Sequence, residues 1–244
     1  MQRLVPVSIF KLADRRRTPA KNWQLGLLLA FIAGYINAGG FFLVGRYTSH
    51  MTGILSAVAD DAALGLALPA AALFGLIICF IAGAAFTTLL VLQARRRRLA
   101  SQYSIPLLIE AFLLVLIVLL SGVFSDGVSL VPFIAAMLCF LMGLQNALIT
   151  KASTAVVRTT HVTGLSTDLG IEIGRWLAGR ARRADLVRMV LYLSVFIAFL
   201  VGGICGALII QGWAAGGLLP VAGLLLLLGV MPAMADLRAV FGAR

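Results

Sequence analysis

The chain reads AGYINAGGFFLVGRYTSHMTG at residues 33–53 and MGLQNALITKASTAVVRTTHVTG at residues 142–164. Both stretches share G-x-x-N-A, then an irregular segment, then T-[ST]-H-x-T-G. The chain has two histidines, and each copy of the second motif contains one of them, His50 or His161. Self-similarity of this kind indicates an internal repeat, so the two stretches predict that the chain consists of two related halves.

The composition is typical of a membrane protein. Of the 244 residues, 61% are hydrophobic and 12% are charged, and the mean hydropathy is +1.06. Apolar runs of about 20 residues recur, each long enough for a helix to cross a bilayer, whereas the short alternating segments of a β-barrel are absent. We therefore predict an all-α polytopic membrane protein with about six transmembrane helices, at residues 23–45, 69–93, 105–124, 129–149, 187–211 and 217–235.

The net charge of +11 is explained by topology. With six spans and a cytoplasmic N-terminus, every Lys and Arg except Arg46 falls on the cytoplasmic side, as the positive-inside rule requires. This distribution favours membrane lipids, and not nucleic acid, as the partner of the basic residues. It predicts a basic cytoplasmic N-terminal tail at 1–22, a short outside connector at 125–128 and a cytoplasmic C-terminal tail at 236–244.

Each predicted half, 23–124 or 129–235, contains three spans. Because this number is odd, the second half must enter the membrane from the opposite side, so the two repeats are predicted to be inverted. Residues 54–93 exceed one crossing and are interrupted by acidic residues, and residues 162–179 have an amphipathic pattern. We therefore predict a short broken or re-entrant helix after each T-[ST]-H-x-T-G motif.

The histidine motif offers chemistry for binding a polar solute. Thr hydroxyls suit helix N-caps and Gly permits close backbone approach, while a helix N-terminus attracts anions and histidine adds a titratable group. The simpler alternative is a capping turn with an interfacial histidine. Broken helices at matching positions of two halves favour a transport site, which gives the candidates His50, Thr52, Gly53, His161, Thr163 and Gly164.

Few other polar residues lie within the spans. Asn37, Gln145 and Asn146 stand beside small residues, so they either line the site or form hydrogen bonds between closely packed helices. Glu110 is the carboxylate well inside an apolar run, which makes it a candidate for coupling or proton handling. Its nearness to the RRRR sequence at 95–98 also allows a structural ion pair.

The sequence gives little support for catalysis. Cys79, Cys139 and Cys205 all fall within predicted spans and form no metal or redox motif. No H-E-x-x-H, P-loop or nucleophile elbow occurs in a suitable setting, and the topology directs the two histidines toward opposite faces unless both loops fold inward. We therefore expect no enzymatic activity, no cofactor and no metal site.

Residues 34–61, GYINAGGFFLVGRYTSHMTGILSAVADD, and residues 143–164 resemble the two signatures of the YoaK-type family of bacterial membrane proteins, which is labelled as a domain of unknown function. The resemblance implies an inner-membrane protein with about six helices and supplies no established substrate. Members of that family often have Asp at the position of Asn37 and Asn at the position of Ile54. If that Asp handles a proton or cation, the coupling is altered in this chain.

These observations predict a transporter or channel for a small solute, in the bacterial inner membrane, with its site between the inverted repeats. The protein is a possible homo-oligomer. The alternative is a non-transporting membrane component that binds anionic lipid or a partner protein through its basic cytoplasmic loops. In that case Arg180, Arg182 and Arg183 would matter more than the histidines.

Overall fold

A computed structural model describes residues 19–97, 99, 101–124, 127–152 and 161–241. These residues form eight α-helices and one 3₁₀ turn, with no strand among them, so the predicted all-helical class is confirmed for this part of the chain. The helices are α1 (Pro19–Val44), α2 (Met51–Ala63), α3 (Ala67–Arg96), α4 (Ser104–Val123), α5 (Gly127–Ala152), α6 (Val162–Leu177), α7 (Arg183–Trp213) and α8 (Leu219–Phe241).

Some predicted features lie outside the described residues. They include most of the 1–22 tail, residues 125–126 of the connector, residues 242–244 of the C-terminal tail, Arg98, and the 153–160 segment with Thr159 and Thr160 of the second histidine motif. Where the tails are described, they are helical, because α1 begins at Pro19 and α8 continues to Phe241.

Five stretches of the described chain are helical, long and apolar enough to cross a membrane: Asn22–Val44, Ala67–Arg96, Ser104–Val123, Leu130–Ala152 and Arg183–Met234. The sequence predicted about six spans, whereas the described residues contain five such stretches, in agreement with a multi-pass membrane protein. The fifth stretch contains both α7 and α8, since the 3₁₀ turn between them, Ala214–Leu218, has no polar side chain. The helix is broken there because Ala214 adopts a positive φ of 47°.

The two short helices, α2 and α6, each begin directly after a histidine. At about 1.5 Å per residue, neither is as long as the hydrocarbon core of about 30 Å. Each is followed by a glycine with positive φ, Gly65 at 73° and Gly179 at 66°, which reverses the chain. As a result α2 packs against α3, and α6 packs against α7.

The most extensive helix contact joins α1 to α7. Gly34 lies against the backbone of Phe199, and Gly202 lies against the backbone of Phe31, so closely that a Cβ on either glycine would overlap the phenylalanine carbonyl. Small residues permit such close approach in membrane helices, where van der Waals packing must replace the hydrophobic effect as the source of association. The two glycines therefore set the distance between α1 and α7.

The contact between α3 and α5 repeats this geometry. Gly83 lies against the carbonyl of Phe140, and Gly143 lies against the carbonyl of Phe80. Each of the four crossing glycines ends an F-x-x-G sequence, at 31–34, 80–83, 140–143 and 199–202. One helix of each crossing comes from 23–124 and the other from 129–235, so the two crossings join the halves by the same contact.

Substitution of Gly143 by alanine should lower the midpoint of thermal unfolding in detergent, because the added Cβ must displace the α3 backbone. Overpacking of this kind costs about 1–3 kcal/mol. The matched control is Gly75→Ala in α3, where an added Cβ would meet nothing within 4 Å. Since Ala is a better helix former than Gly, the control should not destabilise the protein. Equal midpoints for the two variants would contradict the proposed role of the crossing.

Candidate functional site

The chain turns back on itself between α1 and α2. The backbone N–H of Ser49 donates a hydrogen bond to Asn37 Oδ1 at 3.0 Å, although Asn37 lies about two helical turns before the end of α1 at Val44. The reversal begins at Gly45, which has a positive φ of 72°. His50, the N-cap of α2, is therefore held beside the interior of α1 and not beyond its end.

The two histidines adopt the same local conformation. His50 is the N-cap of α2 with φ and ψ of −92° and 68°, and His161 is the N-cap of α6 with −85° and 55°. Each imidazole lies over a glycine of the following turn, Gly53 or Gly164, where a Cβ would overlap Cδ2 and Nε2 of the ring. This contact explains why the motif ends in glycine. The motif suggested that a threonine hydroxyl caps each helix. The N-cap residue is instead the histidine, and its side chain forms no hydrogen bond with the helix.

Both histidines line one cavity of about 630 Å³. The sequence directed them toward opposite faces unless both loops fold inward, and the structure brings them together. Thr52, Thr163 and Asn146, which the sequence nominated, line the same cavity. The remaining lining residues come from the start of α2, from α3, from the end of α5 and from α6: Ser49, Met51, Phe80, Ala84, Thr88, Ala147, Thr150, Lys151 and Val162.

A second cavity of about 350 Å³ lies beside α1 and α7. It shares Ser49, His50, Val162 and Thr163 with the larger cavity, and it adds Asn37, Tyr47 and Phe199. Asn37 and Phe199 occupy the same motif positions as Asn146 and Phe80 of the larger cavity, in G-x-x-N-A and F-x-x-G. The two cavities therefore share residues of the histidine turns and have related walls.

The electrostatics of the larger cavity favour a negative group. The first backbone N–H groups of α2 and α6 have no intrahelical acceptor, and the side chains of the N-cap residues His50 and His161 form no cap hydrogen bond with them. The positive ends of two helix dipoles thus lie where His50 and His161 line the cavity. Lys151 adds a cation, and none of the described residues lining either cavity is Asp or Glu.

Gln145 and Glu110 form a separate pair between α5 and α4. Gln145 Nε2 donates a hydrogen bond to Glu110 Oε1 at 2.9 Å, and both side chains are fully buried. Neither residue is among those that line the two cavities. Consecutive helical residues point about 100° apart, so the neighbours Gln145 and Asn146 face different surroundings. The sequence grouped all three amides, but the structure places only Asn37 and Asn146 at the cavities.

The alternative of an ion pair between Glu110 and the 95–98 arginines is not seen among the described residues, whose ion pairs all lie on α6 and α7. Arg95 instead donates a hydrogen bond to the hydroxyl of Tyr103 at 2.7 Å. Glu110 Oε2 and Gln145 Oε1 have no hydrogen-bond partner. The described residues also contain no cluster of three or more His, Cys, Asp or Glu side chains suited to a metal ion.

Several residues at the cavities were not predicted. Phe80 and Phe199 line a cavity through their position in the helix crossings, and Lys151 was counted only as a topological charge. The repetition of F-x-x-G is the signal that could have drawn attention to both phenylalanines. It is a weak signal, because the sequence also occurs at 42–45 and 124–127, outside the crossings.

Replacement of Glu110 by glutamine should leave the thermal unfolding midpoint close to that of the unchanged protein. An unpaired buried charge is costly, and a proton on Glu110 Oε2 would instead be donated to Gln145 Oε1 and satisfy both free oxygens. A glutamine amide can form the same pair. Glu110→Leu leaves the Gln145 amide unpaired, which costs about 1–3 kcal/mol.

The control is Gln145→Leu, which should destabilise about as much as Glu110→Leu, with a double variant less destabilised than the sum because the residues are coupled. If Glu110→Gln is as damaging as Glu110→Leu, the Glu110 carboxylate is charged, and the proton that we expect between Glu110 Oε2 and Gln145 Oε1 is not present.

Residues 25–231 match the family described as "Protein of unknown function (DUF1275)", which is the YoaK-type family. The match covers most of the chain, so the protein belongs to this family, as the two signatures predicted. No curated protein and no solved structure matches the chain.

Proposed function

We propose that this member of the DUF1275 family is a membrane transporter or channel for a small anionic solute, which binds where α2 and α6 begin. The observation that carries the proposal is that two histidine-capped helix starts, far apart in the sequence, line one cavity of about 630 Å³. Ligand cavities in proteins usually measure about 300–1,000 Å³. The volume therefore suits a small organic or inorganic anion with part of its hydration shell.

The proposed solute is negative because of what lines the cavity. Free N–H groups at helix starts bind anions, and discontinuous helices in secondary transporters direct their positive ends at anionic substrate groups. His50, His161 and Lys151 supply further donors, while Thr52 and Thr163 supply hydroxyls. A cation would find two helix dipoles of the wrong sign and no carboxylate among the described lining residues.

The proposal includes two inverted repeats, one containing α1 to α4 and the other α5 to α8. Packing supports this pairing. If each helix is exchanged for its counterpart, the contact of α1 with α7 becomes that of α5 with α3, and the contact of α2 with α3 becomes that of α6 with α7. The contact of α4 with α8 is exchanged with itself. The two F-x-x-G crossings are exchanged in the same way.

Inverted repeats suggest how the site is reached from both sides. The larger cavity lies beside α3 and α5, the smaller one beside α1 and α7, and residues of both histidine turns line each of them. If the two repeats exchanged conformations, the smaller cavity would become the larger one. A solute bound at His50 and His161 would then face the other side of the membrane. We place the protein in the bacterial inner membrane with both termini in the cytoplasm.

Solute flux tests the site. The purified full chain in liposomes should transport some members of a panel of small anions and should not transport cations of similar size. The double variant His50→Ala/His161→Ala should reduce that flux tenfold or more at low solute concentration, since hydrogen bonds to charged groups contribute about 1.5–3 kcal/mol each. The control is Thr167→Ala, an exposed α6 residue whose hydroxyl bonds to its own helix.

Equal flux in the unchanged protein and the histidine variant, for every solute tried, would contradict the site. The non-transporting alternative makes the opposite prediction. Neutralising Arg180, Arg182 and Arg183 would abolish the binding of lipid or a partner protein, and the histidine variant would have no effect. Flux separates the two functions, because the non-transporting alternative predicts no solute flux in the unchanged protein or in either variant.

Cysteine labelling tests the inversion. Leu64 and Ala178 are exposed residues next to the glycine turns that end α2 and α6. In a background without Cys79, Cys139 and Cys205, a membrane-impermeant maleimide should label Leu64→Cys in intact cells and Ala178→Cys only after the membrane is opened. Labelling of both positions from the same side would rule out the inverted arrangement.

A further inference from the structure

A third cavity, of about 480 Å³, lies at the turn between α6 and α7. Four arginines and one aspartate line it: Arg175, Arg180, Arg182, Arg188 and Asp185. It shares no lining residue with the two histidine cavities. We call it the arginine cavity.

Two carboxylates hold part of the cavity wall in place. Glu172 accepts hydrogen bonds from Arg188 Nε at 3.0 Å and from Arg175 Nη1 at 3.4 Å, and Asp185 pairs with Arg188. Both acidic residues are buried, with 5% and 8% of their surface exposed. Arg175 and Arg188 remain about half exposed, with 51% and 44% of their side chains accessible. Their guanidinium groups are thus anchored on one side and accessible on the other.

The described residues do not neutralise the positive charge of the cavity. The described residues show no ion pair for Arg180 or Arg182, and Asp185 Oδ2 is already used as an acceptor by the Arg182 backbone N–H at 2.8 Å. Four arginines therefore face two carboxylates that are both engaged. Guanidinium groups bind phosphate oxygens in bidentate fashion, so the surplus charge suits a phosphate group.

Exposed apolar residues flank the cavity along the chain. Trp176 and Leu177 at the end of α6 are 56% and 73% exposed, and Val187 near the start of α7 is 53% exposed. Tryptophan is enriched where a membrane protein crosses from headgroups to hydrocarbon. A phosphate in the arginine cavity would therefore lie next to a surface suited to acyl chains. This combination favours a phospholipid over a soluble phosphate.

The corresponding hairpin of the first half shows that the fold does not require these arginines. Residues 60–69, DDAALGLALP, connect α2 to α3 through Gly65 and contain no basic residue. The positive-inside rule explains why basic residues occur on one side of a membrane. It does not require four of them to line one cavity, two of them anchored by buried carboxylates.

We propose that the arginine cavity binds the phosphate-bearing headgroup of an acidic phospholipid, with the acyl chains against Trp176, Leu177 and Val187. Basic pockets between membrane helices are a known form of headgroup recognition. This lipid site is separate from the solute site and does not depend on transport.

Lipid-dependent thermal stability tests the proposal. The purified full chain in a neutral detergent should gain thermal stability when phosphatidylglycerol is added, and should gain little from phosphatidylcholine. Arg180→Gln/Arg182→Gln should weaken the apparent affinity for phosphatidylglycerol about tenfold or more, because it removes charge-assisted hydrogen bonds worth about 1.5–3 kcal/mol each. Arg180→Lys/Arg182→Lys keeps the positive charge but loses the forked guanidinium group. Its affinity for phosphatidylglycerol should lie between that of the unchanged protein and that of the glutamine variant.

The matched control is Arg96→Gln/Arg97→Gln, which removes the same charge from exposed residues at the end of α3. Equal loss in this control would show a general charge effect and overturn the site. The same thermal measurement is made with inorganic phosphate and with glycerol phosphate. If either stabilises the protein as strongly as phosphatidylglycerol does, the lipid assignment is overturned. If the double variant is poorly folded without lipid, the single variant Arg180→Gln gives the same comparison, since Arg180 has no ion pair among the described residues.

Discussion

The close approach of backbones at two helix crossings is the contact on which the rest of the structure depends. In a membrane, an apolar side chain gains little free energy by moving from lipid into a helix interface, because both surroundings are apolar. Helices therefore associate through packing and hydrogen bonds. Gly34 and Gly202 bring α1 against α7, and Gly83 and Gly143 bring α3 against α5. Both crossings join residues of the first half to residues of the second. Without this approach, the helix starts at His50 and His161 would not reach a common cavity.

A broken helix inside such a bundle must satisfy its exposed backbone groups, because lipid offers no hydrogen bonds. The turn after α1 does so locally. Gly45 N–H donates to Phe41 O at 2.8 Å, Ser49 N–H donates to Asn37 Oδ1 at 3.0 Å, and His50 O accepts from Ile54 N–H at 3.1 Å. The first N–H groups of α2 remain without intrahelical partners. They face a cavity, which is where irregular backbone is tolerated and where a polar solute could complete the bonding.

Hydropathy was sufficient to predict the helical class and most of the long helices, since length and apolar character are properties of the sequence alone. The predicted spans 187–211 and 217–235 also separate α7 from α8, but hydropathy does not show the positive φ of Ala214 that breaks the helix, since the side chains of Ala214–Leu218 are apolar. Residues of the histidine motif line the cavity, but the sequence does not show the hydrogen bond from Ser49 N–H to Asn37 Oδ1 that holds the loop against α1. Nor does the sequence show that Gln145 faces Glu110 while its neighbour Asn146 faces the cavity, because that choice depends on how α4 packs against α5.

The two halves repeat the helix crossings and the histidine turns, but they do not repeat the charges. When MGLQNA is aligned with AGYINA, the position of Lys151 in the second half corresponds to Phe42 in the first. The arginines of the α6–α7 hairpin likewise have no basic counterpart in the α2–α3 hairpin. In the inverted arrangement that we propose, the end of α5 and the α6–α7 hairpin lie at the same membrane face. An anion would then meet a positive field at that face and a weaker one at the other. The repeated residues would define the binding site, and the residues that are not repeated would make the two approaches to it unequal.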